Sequence, residues 1–437
     1  MLGSHRPGRG GFYLYLMQNV IGTGGITALS CLLVYLIDYI FSFDQAPPLY
    51  NAFSDEKMAS QPNYFIILMA ILCIFTLFGY SRAFLRGLYE SLRIHGIFDL
   101  PNERSMHFRE VPRGGGWVIV VTVCGYTLFL MAWLFAAHYA ASPLQMLGMP
   151  MAFLKIFFQD CLNMPAISIA CAMLLVALVS WIDDLMGLGA VYRLIVQASA
   201  VALGLSAMPH LPGVFPYLPA SLVYVFCGLL WLGFVNIYNF MDGIDGITAS
   251  QTVTVLGGQL LLYFVVLTLA PAGFVLRPQV YPDIWLLGVI IGTSLAFLSY
   301  NWHPAQIFLG DVGSVPLGYI VGYSMLSLVQ QGYWYIALTL TLYYLADGGL
   351  TLLRRIVTGE KFWLPHRTHF YQRAALVAGR HDIVVVNILI CNLVLVGIAM
   401  LGLIFSPWYC LAAPLPVALL LHRLAHWPPP KAWKINA

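Results

Sequence analysis

The sequence predicts an all-α, polytopic integral membrane protein with eleven or twelve transmembrane helices. Three observations favour this fold class: 60% of the 437 residues are hydrophobic, only 9% are charged, and the mean hydropathy is +0.81. Ordinary soluble domains carry roughly 25% charged residues, and a soluble chain this apolar could not cover its own surface. The composition therefore excludes a cytosolic enzyme, a nucleic-acid-binding module and a disordered scaffold.

The apolar runs along the chain justify the number of helices. A helix that crosses a bilayer needs about 17–25 mainly apolar residues. Runs near that length lie at approximately 13–41, 63–81, 116–138, 164–182, 190–207, 220–238, 248–270, 283–300, 314–330, 333–352, 383–405 and 407–423. The run at 190–207 is short, and only Ser406 and Pro407 separate the last two, so the prediction is eleven or twelve spans. The first run is too long for a signal peptide, and we interpret it as an uncleaved anchor.

The positive charges predict the orientation of these spans. With the N-terminus in the cytoplasm, all but three of the 21 Lys and Arg residues fall on the cytoplasmic side; the exceptions are Lys57, Lys155 and Arg277. Cytoplasmic loops of membrane proteins carry such an excess of Lys and Arg. The loops at 42–62, 139–163 and 271–282 leave no room for a folded domain outside the membrane. We therefore expect the function to reside at cytoplasmic helix ends and short loops.

The first polar segment on that side is P-N-E-R-S-M-H-F-R-E-V-P-R-G-G-G, residues 101–116. Arg104, His107 and Arg113 supply cationic or donor groups. The backbone N–H groups of Gly114 to Gly116, at a helix start, would favour an anion. The alternative is an ordinary basic loop with a glycine hinge.

The second polar segment, W-I-D-D-L-M-G-L, places Asp183 and Asp184 side by side at the C-terminal end of a predicted helix. The helix dipole disfavours negative charge there, and the two carboxylates repel each other unless a cation or a basic group lies close. Arg193 is a candidate neighbour. Solvation at the membrane interface is the alternative.

The third segment is N-I-Y-N-F-M-D-G-I-D-G, residues 236–246. Asn236, Asn239, Asp242 and Asp245 are spaced three residues apart, so a helical stretch would stack them on one face. Packing does not explain four polar groups on one stripe at the end of an apolar span. A turn rich in Asp-Gly is the simpler alternative.

Two further segments complete the set. In N-W-H-P-A-Q-I-F-L-G-D-V-G-S, residues 301–314, Asp311 lies between Gly310 and Gly313 just before the next span. In P-H-R-T-H-F-Y-Q-R, residues 365–373, His366 and His369 are three residues apart, a spacing that suits a shared metal or phosphate but is weak evidence alone. Together the five segments supply hard oxygen ligands for Mg²⁺, and Arg, His and N–H groups for phosphate oxygens.

These five segments, in this order, resemble those of the polyprenyl-phosphate N-acetylhexosamine-1-phosphate transferase superfamily, glycosyl transferase family 4. The matching motifs are R-S-x-H…P-R-G-G-G, W-x-D-D-x-x-G-L, N-x-x-N-F-M-D-G-I-D-G, F-L-G-D-x-G-S and H-R-x-H, from about Asn102 to Gln372. The chain is more similar to the bacterial undecaprenyl-phosphate GlcNAc-1-phosphate transferase branch, which starts O-antigen and other surface-glycan synthesis. The resemblance implies one transmembrane domain over 1–437, with a transferase core at 63–405, an extra N-terminal span and loop at 1–62, and a C-terminal span and tail at 406–437.

The resemblance also implies a role for each matching residue. The metal would be Mg²⁺, with Mn²⁺ as an alternative, held by Asp311 and Asn236. The catalytic residues would be Asp183, Asp184, Asp311, His366, Arg367 and His369, the last three neutralising the diphosphate from the facing loop. The substrate would be bound by Asn236, Asn239, Asp242, Asp245, His107 and Arg113.

The implied reaction transfers an N-acetylhexosamine-1-phosphate from a UDP-sugar to undecaprenyl phosphate and releases UMP. It would take place in the bacterial inner membrane with the active site facing the cytoplasm, surrounded by membrane lipid and without a nucleic-acid partner. A homodimer is an open alternative to a monomer. The peptidoglycan branch carries three successive histidines where this chain reads H-R-T-H, which argues against a phospho-MurNAc-pentapeptide substrate.

A secondary transporter is the main alternative from another class, and a metal-dependent lipid phosphatase is the nearest enzymatic one. Transporters place ionisable residues near the bilayer midplane, often within repeats. Here the acidic residues gather at one membrane face and no repeat is visible. Only Asp38 and Asp347 lie well inside predicted spans, and Asp347 is close enough to Arg354 and Arg355 for pairing at the interface.

Overall fold

The computed structural model describes residues 64–101, 106–139, 164–269, 280–360 and 366–428. The predicted run at 13–41, the N-terminal boundary at 62 and the end of the C-terminal tail lie outside the described residues. Arg104 of the first polar segment also lies outside them.

The described chain is almost entirely helical, which confirms the predicted fold class. Its α-helices are α1 (Tyr64–Ile94), α2 (Trp117–Tyr139), α3 (Met164–Met186), α4 (Ala190–Ser206), α5 (Ala220–Phe240), α6 (Ile247–Leu269), α7 (Val280–Asn301), α8 (Asp311–Gln330), α9 (Trp334–Val357), α10 (Phe370–Ala378), α11 (His381–Ile404) and α12 (Pro414–Ala425). Short 3₁₀ turns at Leu211–Val214 and Pro407–Ala412 precede α5 and α12. Every apolar run predicted within the described residues is therefore helical.

Nine helices of the described chain are long and apolar enough to cross a membrane, by length and composition. The helix α4 has 17 residues and is shorter than these, as its short apolar run indicates. The last candidate span, Pro407–Ala425, combines the second 3₁₀ turn with α12. The protein is thus a multi-pass membrane protein, and the total of eleven or twelve spans stays a prediction.

The helix α8 forms the centre of the bundle. In an apolar stretch of 18 residues within α8, 83% of the residues are buried, against 28% in the corresponding stretch of α5. Small residues allow this close packing: at Gly322 of α8, a Cβ atom would lie 2.4 Å from the indole of Trp231 on α5. The Trp231 indole N–H donates a hydrogen bond to the carbonyl of Tyr319 at 2.9 Å. The first residue of this central helix is Asp311.

A small backbone structure connects the loop before α2 to the loop before α8. Two short antiparallel strands, β1 (Phe98–Asp99) and β2 (Val111–Pro112), pair with each other. Directly after β2, Arg113 forms a parallel bridge with Phe308. Two polar segments that are almost two hundred residues apart in sequence thus lie side by side at one end of the bundle.

A buried carboxyl also lies near the opposite end of α6, α7 and α8. Asp283, in the first turn of α7, accepts hydrogen bonds from the hydroxyls of Tyr263 and Ser327. Only 5% of Asp283 is exposed. The sequence placed this residue at the edge of a span rather than inside it, because an apolar run does not show how deeply its first residue is covered.

Candidate active site

The polar segments surround a cavity of about 650 Å³ at one end of the bundle. It lies where α5 and α7 end and near the starts of α6, α8, α10 and α11. Its polar lining residues are Asp99, His107, Arg113, Asn239, Asp242, Asp245, Asn301, Asp311, Gln372 and His381. The structure therefore brings four of the five polar segments to one cavity. The remaining one, the second segment with Asp183 and Asp184, lies next to the cavity, where Asp184 contacts Arg113.

Two arginines and three carboxylates form a chain of ion pairs that meets the cavity at Arg113 and Asp311. Arg113 contacts Asp184 at 2.5 Å and Asp311 at 3.3 Å. Arg193 contacts Asp183 at 2.9 Å and Asp311 at 3.6 Å. The expectation that Arg193 lies beside Asp183 is confirmed. Asp311 is the shared member, with one carboxylate oxygen facing each arginine.

The start of α8 is arranged around Asp184. The backbone N–H of Val312 donates to Asp184 Oδ2 at 3.4 Å. Gly310 has a φ of +73°, and a Cβ atom there would lie 2.9 Å from Asp184 Oδ2. The carboxylate of Asp184 thus lies at the N-terminus of α8, where the helix dipole stabilises negative charge.

The glycines 114–116 have a different role from the one that the sequence suggested. The N–H groups of Gly114 and Gly115 donate to the carbonyl of Phe308 at 3.2 and 2.8 Å, and that of Gly116 donates to Leu309 at 2.9 Å. They are therefore committed to backbone partners, and the prediction that they bind an anion is wrong. Glycine is needed here for contact, because a Cβ atom on Gly116 would lie 2.2 Å from the Cα of Gly313.

The third segment is only partly helical, so the predicted stripe of four polar groups does not form. α5 ends at Phe240, and Asp242 and Asp245 lie in the turn before α6. Asn239 accepts a hydrogen bond from the hydroxyl of Ser314 on α8 at 2.7 Å and lines the cavity. Asn236 is one turn further from the helix end, where its amide donates to Gln197 of α4 at 2.8 Å. Asn236 is therefore not among the lining residues.

Asp242 lines the cavity among several charged groups. Burial raises the pKa of Asp242 to about 7, and the negative charge of Asp311 adds to this, whereas Arg113 and a hydrogen bond from Thr248 act in the opposite direction. A carboxyl with such a pKa changes its charge close to neutral pH. Perturbed carboxyls of this kind are concentrated at functional sites.

Asp245 lies between two histidines. Its Oδ2 is 2.7 Å from Nδ1 of His303 and 3.2 Å from Nδ1 of His381. His303 lies within the fourth polar segment of the sequence, whereas His381 lies outside all five segments. The only local signal for His381 is the group Arg-His-Asp at the start of an apolar run.

The H-R-T-H loop lies beside the cavity rather than in its lining. His369 is fully buried, and its Nδ1 lies 3.2 Å from Asp347 of α9. Asp347 also accepts the backbone N–H groups of Phe370 and Tyr371, at 3.1 and 3.2 Å, and thus holds the start of α10. The expected pairing of Asp347 with the arginines at the end of α9 missed these contacts.

His366 stacks on His369 with a ring separation of 4.9 Å. Burial lowers the pKa of His366 to about 4, with further contributions from His369 and Arg355. His366 is consequently neutral at pH 7 in this arrangement. Arg367 follows it and is partly buried. None of these three residues lines the cavity; Gln372 of α10 does.

Among the described residues of the first segment, His107 has a buried polar atom without a hydrogen-bond partner. Its ring packs against Phe308 at 4.8 Å, and its Nε2 is buried without a hydrogen-bond partner. A buried polar atom without a partner is costly. A ligand in the cavity would supply that partner.

Comparison with known proteins finds similarity to one family over part of the chain. Residues 166–329 match the model of glycosyl transferase family 4. The phospho-N-acetylmuramoyl-pentapeptide-transferase of Streptococcus pyogenes serotype M1 is 34% identical over 142 residues, which are 32% of this chain and 38% of that protein. The chain thus covers well under half of the length of the streptococcal relatives. A probable undecaprenyl-phosphate N-acetylglucosaminyl 1-phosphate transferase of Bacillus subtilis is 25% identical over 290 residues, 64% of this chain and 69% of that protein.

Proposed function

We propose that this chain, whose residues 166–329 match the model of glycosyl transferase family 4, transfers an N-acetylhexosamine-1-phosphate from a UDP-sugar to undecaprenyl phosphate and releases UMP. The observation that carries this proposal is Asp311, which lies in the cavity lining between Arg113 and Arg193. A reaction between two anions needs charge neutralisation and alignment more than a strong base. Carboxylates held between arginines beside a cavity of about 650 Å³ suit that task.

The donor set fits a magnesium ion. Mg²⁺ prefers hard oxygen ligands and is usually bound by one or two carboxylates together with substrate phosphates. Asp311 would hold it, together with Asp242, which lines the same cavity and interacts electrostatically with Asp311. Asn236, which the sequence suggested as the second ligand, is turned toward Gln197. When bound, the ion would supply charge neutralisation at the diphosphate; Mn²⁺ has similar ligand preferences.

The protein's own residues would act by binding and alignment. Arg113 and Arg193 are placed to attract phosphate oxygens while they keep Asp184 and Asp183 fixed. His107 and Gln372 each carry a buried side-chain atom without a hydrogen-bond partner, Nε2 and Oε1 respectively, that a polar substrate would satisfy. A phosphomonoester with a second pKa near 6 is mostly ionised at pH 7. We therefore favour direct attack by the lipid phosphate over a covalent intermediate on an aspartate.

The membrane supports the same assignment. The tail of a polyprenyl phosphate stays in lipid, so its headgroup reaches only chemistry located near the interface. The cavity lies among helix ends, and the distribution of Lys and Arg assigns this end to the cytoplasm, where soluble UDP-sugars are found. We therefore propose an inner-membrane enzyme with a cytoplasmic active site that starts the synthesis of a lipid-linked surface glycan.

Two relatives suggest different donors, and the loop sequence favours one of them. The Bacillus relative, whose name includes N-acetylglucosaminyl 1-phosphate, matches over a larger share of the chain than the streptococcal ones. The H-R-T-H loop differs from the three successive histidines of the peptidoglycan branch. We therefore propose an N-acetylhexosamine donor over a phospho-MurNAc-pentapeptide donor.

The test is UMP release by the purified full-length protein in detergent, with undecaprenyl phosphate, Mg²⁺ and a panel of UDP-sugars. We expect UMP only when lipid acceptor and Mg²⁺ are both present, and a loss of about 1000-fold or more with Asp311→Asn, in line with the removal of a key electrostatic group. Glu90→Gln is the matched acid-to-amide control, because Glu90 is an exposed residue of α1 paired with Arg93. Folded protein that releases no UMP from any donor would refute the proposal, and inorganic phosphate from the lipid would indicate a phosphatase.

A further inference from the structure

One cluster at the cavity combines Asp245, for which the family resemblance implies a part in substrate binding, with two histidines to which no role has been given. Asp245, His303 and His381 come from the turn before α6, the loop after α7 and the start of α11. One atom from each of them, Oδ2 of Asp245 and Nδ1 of each histidine, forms a group whose members all lie within 4.8 Å of one another. The two rings lie 4.8 Å apart. Three separate elements thus bring three ligand-type atoms to one point.

Two atoms of this cluster, Oδ2 of Asp245 and Nδ1 of His381, each have more than one close polar neighbour. Oδ2 of Asp245 receives Nδ1 of His303 at 2.7 Å, Nδ1 of His381 at 3.2 Å and the backbone N–H of Ala305 at 3.2 Å. Nδ1 of His381 also lies 3.2 Å from the backbone N–H of Asp245. A single Nδ1 cannot donate to the carboxylate and accept from that N–H at the same time. Hydrogen bonding therefore explains only one of the two close contacts of His381 Nδ1, either the one with Asp245 Oδ2 or the one with the Asp245 N–H.

We propose that Asp245, His303 and His381 form a site for a divalent transition metal such as Zn²⁺ or Co²⁺, distinct from the Mg²⁺ site proposed at Asp311. Two imidazole nitrogens and one carboxylate oxygen are a donor set that suits Zn²⁺ and Co²⁺ better than Mg²⁺. Zinc enzymes use two histidines and a carboxylate in the same way, with a fourth position left for water or substrate.

The geometry needs little adjustment to bind such an ion. Ligand bonds of 2.0–2.2 Å in a tetrahedral arrangement place ligand atoms about 3.4 Å apart. The oxygen-to-nitrogen distances of 2.7 and 3.2 Å are close to that value. The N–H of Ala305 would remain on the second lone pair of Asp245 Oδ2 and orient the carboxylate, as outer hydrogen bonds do around metal ligands.

The surroundings keep the ligands in the required form. Burial alone would raise the pKa of Asp245, yet the hydrogen bonds and charges of His381 and His303 hold it below its usual value, so the carboxylate is ionised at neutral pH. Asp245 and His381 are buried, and His303 is 26% exposed. Asp245 and His381 also line the cavity, which gives an ion a path of entry and an open coordination position.

The test is a Co²⁺ titration of the full-length protein in detergent after treatment with a chelator, without nucleotide or lipid. We expect a visible d–d absorption band that saturates at one equivalent, is removed by Zn²⁺ and persists in excess Mg²⁺. His303→Gln and His381→Gln should each weaken Co²⁺ binding by at least about 100-fold, since outer-shell changes alone cost about 10–100-fold. His107→Gln is the matched control, because His107 lines the same cavity outside the cluster.

A second variant separates ligation from a structural role. His381→Cys keeps a metal ligand, so it should still bind Co²⁺ and add a sulfur-to-cobalt charge-transfer band. Unchanged Co²⁺ affinity in both glutamine variants would show that the ion binds elsewhere and would overturn the proposal. A folded His381→Cys protein that binds Co²⁺ without the new band would overturn it too. These readouts do not depend on transfer activity, so the site and the proposed function fail or succeed separately.

Discussion

Substitution of Gly116 by alanine tests whether the contact between α2 and α8 positions the candidate active site. A Cβ atom at this position would lie 2.2 Å from the Cα of Gly313 and 2.3 Å from its nitrogen. Ordinary contacts between carbon atoms are about 3.5–4.0 Å. The helices would thus have to separate by about 1.3 Å, and backbone atoms on both sides leave no flexible group to absorb the change.

That separation would reach the site directly. Asp311 is two residues before Gly313, and Arg113 is three residues before Gly116. The 3.3 Å contact between Asp311 and Arg113 therefore joins the same two backbone segments that the glycines bring together. A misplacement of about 1 Å can lower an enzymatic rate by about 100-fold. Overpacking costs about 1–3 kcal/mol of stability. We therefore expect Gly116→Ala to lower both the rate of UMP release, by about 100-fold, and the thermal unfolding temperature in detergent.

Gly257→Ala is the matched control for this experiment. Gly257 is inside α6, and a Cβ atom there would meet nothing within 4 Å. Alanine is favoured over glycine within helices by up to about 1 kcal/mol, so this variant should keep its rate and should not unfold earlier. If Gly116→Ala behaved like Gly257→Ala in both measurements, the reasoning from this contact would be refuted.

Three further predictions concern other parts of the site. Asp347→Asn should lower the unfolding temperature, because one amide oxygen replaces two carboxylate oxygens that together hold His369 and the start of α10. In chelator, Asp242→Asn should unfold at a higher temperature than the parent at pH 8, and this difference should be much smaller at pH 4.5. The raised pKa of Asp242, about 7, means that folding favours its neutral form, so its contribution to stability is present at low pH and is lost as the pH rises through 7. Asn239→Ala should lower transferase activity more than Asn236→Ala, because only Asn239 lines the cavity.

Each of these has a measurement that would contradict it. Equal unfolding temperatures for Asp347→Asn and the parent would mean that α10 does not depend on this carboxylate. A stability difference for Asp242→Asn that stays constant between pH 4.5 and 8 would mean that Asp242 does not titrate in this range. Greater loss with Asn236→Ala would restore Asn236 as the metal ligand that the sequence suggested.

Much of the fold was predictable because lipid imposes a simple rule on sequence. Each apolar run between 63 and 423 that lies in the described part of the chain corresponds to a helix. That the polar segments lie close together was predictable for a related reason. Carboxylates such as Asp183 and Asp311 are costly to place near hydrocarbon, so they are tolerated only where cations pair with them or water solvates them. The proximity of Arg193 to Asp183 follows from helix spacing across one short turn.

The remaining features depend on contacts between distant elements, which a local pattern does not encode. The sequence shows that three glycines precede α2, but not that Phe308 and Leu309 supply carbonyls to them. It shows that Asn236, Asn239 and Asp242 follow one another at intervals of three residues, but not that the helix ends at Phe240, before Asp242. It also shows an isolated His381, whose partner Asp245 lies 136 residues earlier in the chain.

The connection between the loops before α2 and α8 also bears on how such a site can change over evolutionary time. It is made by main-chain atoms: Phe308 donates its N–H to the carbonyl of Pro112 at 2.8 Å and accepts from Gly115 at 2.8 Å. Main-chain hydrogen bonds are the same for almost every amino acid, so this joint places few demands on the side chains around it. Only the glycines are fixed, by lack of space. The lining of the cavity can therefore be exchanged residue by residue, and substrate preference altered, while the frame that aligns Arg113 with Asp311 stays in place.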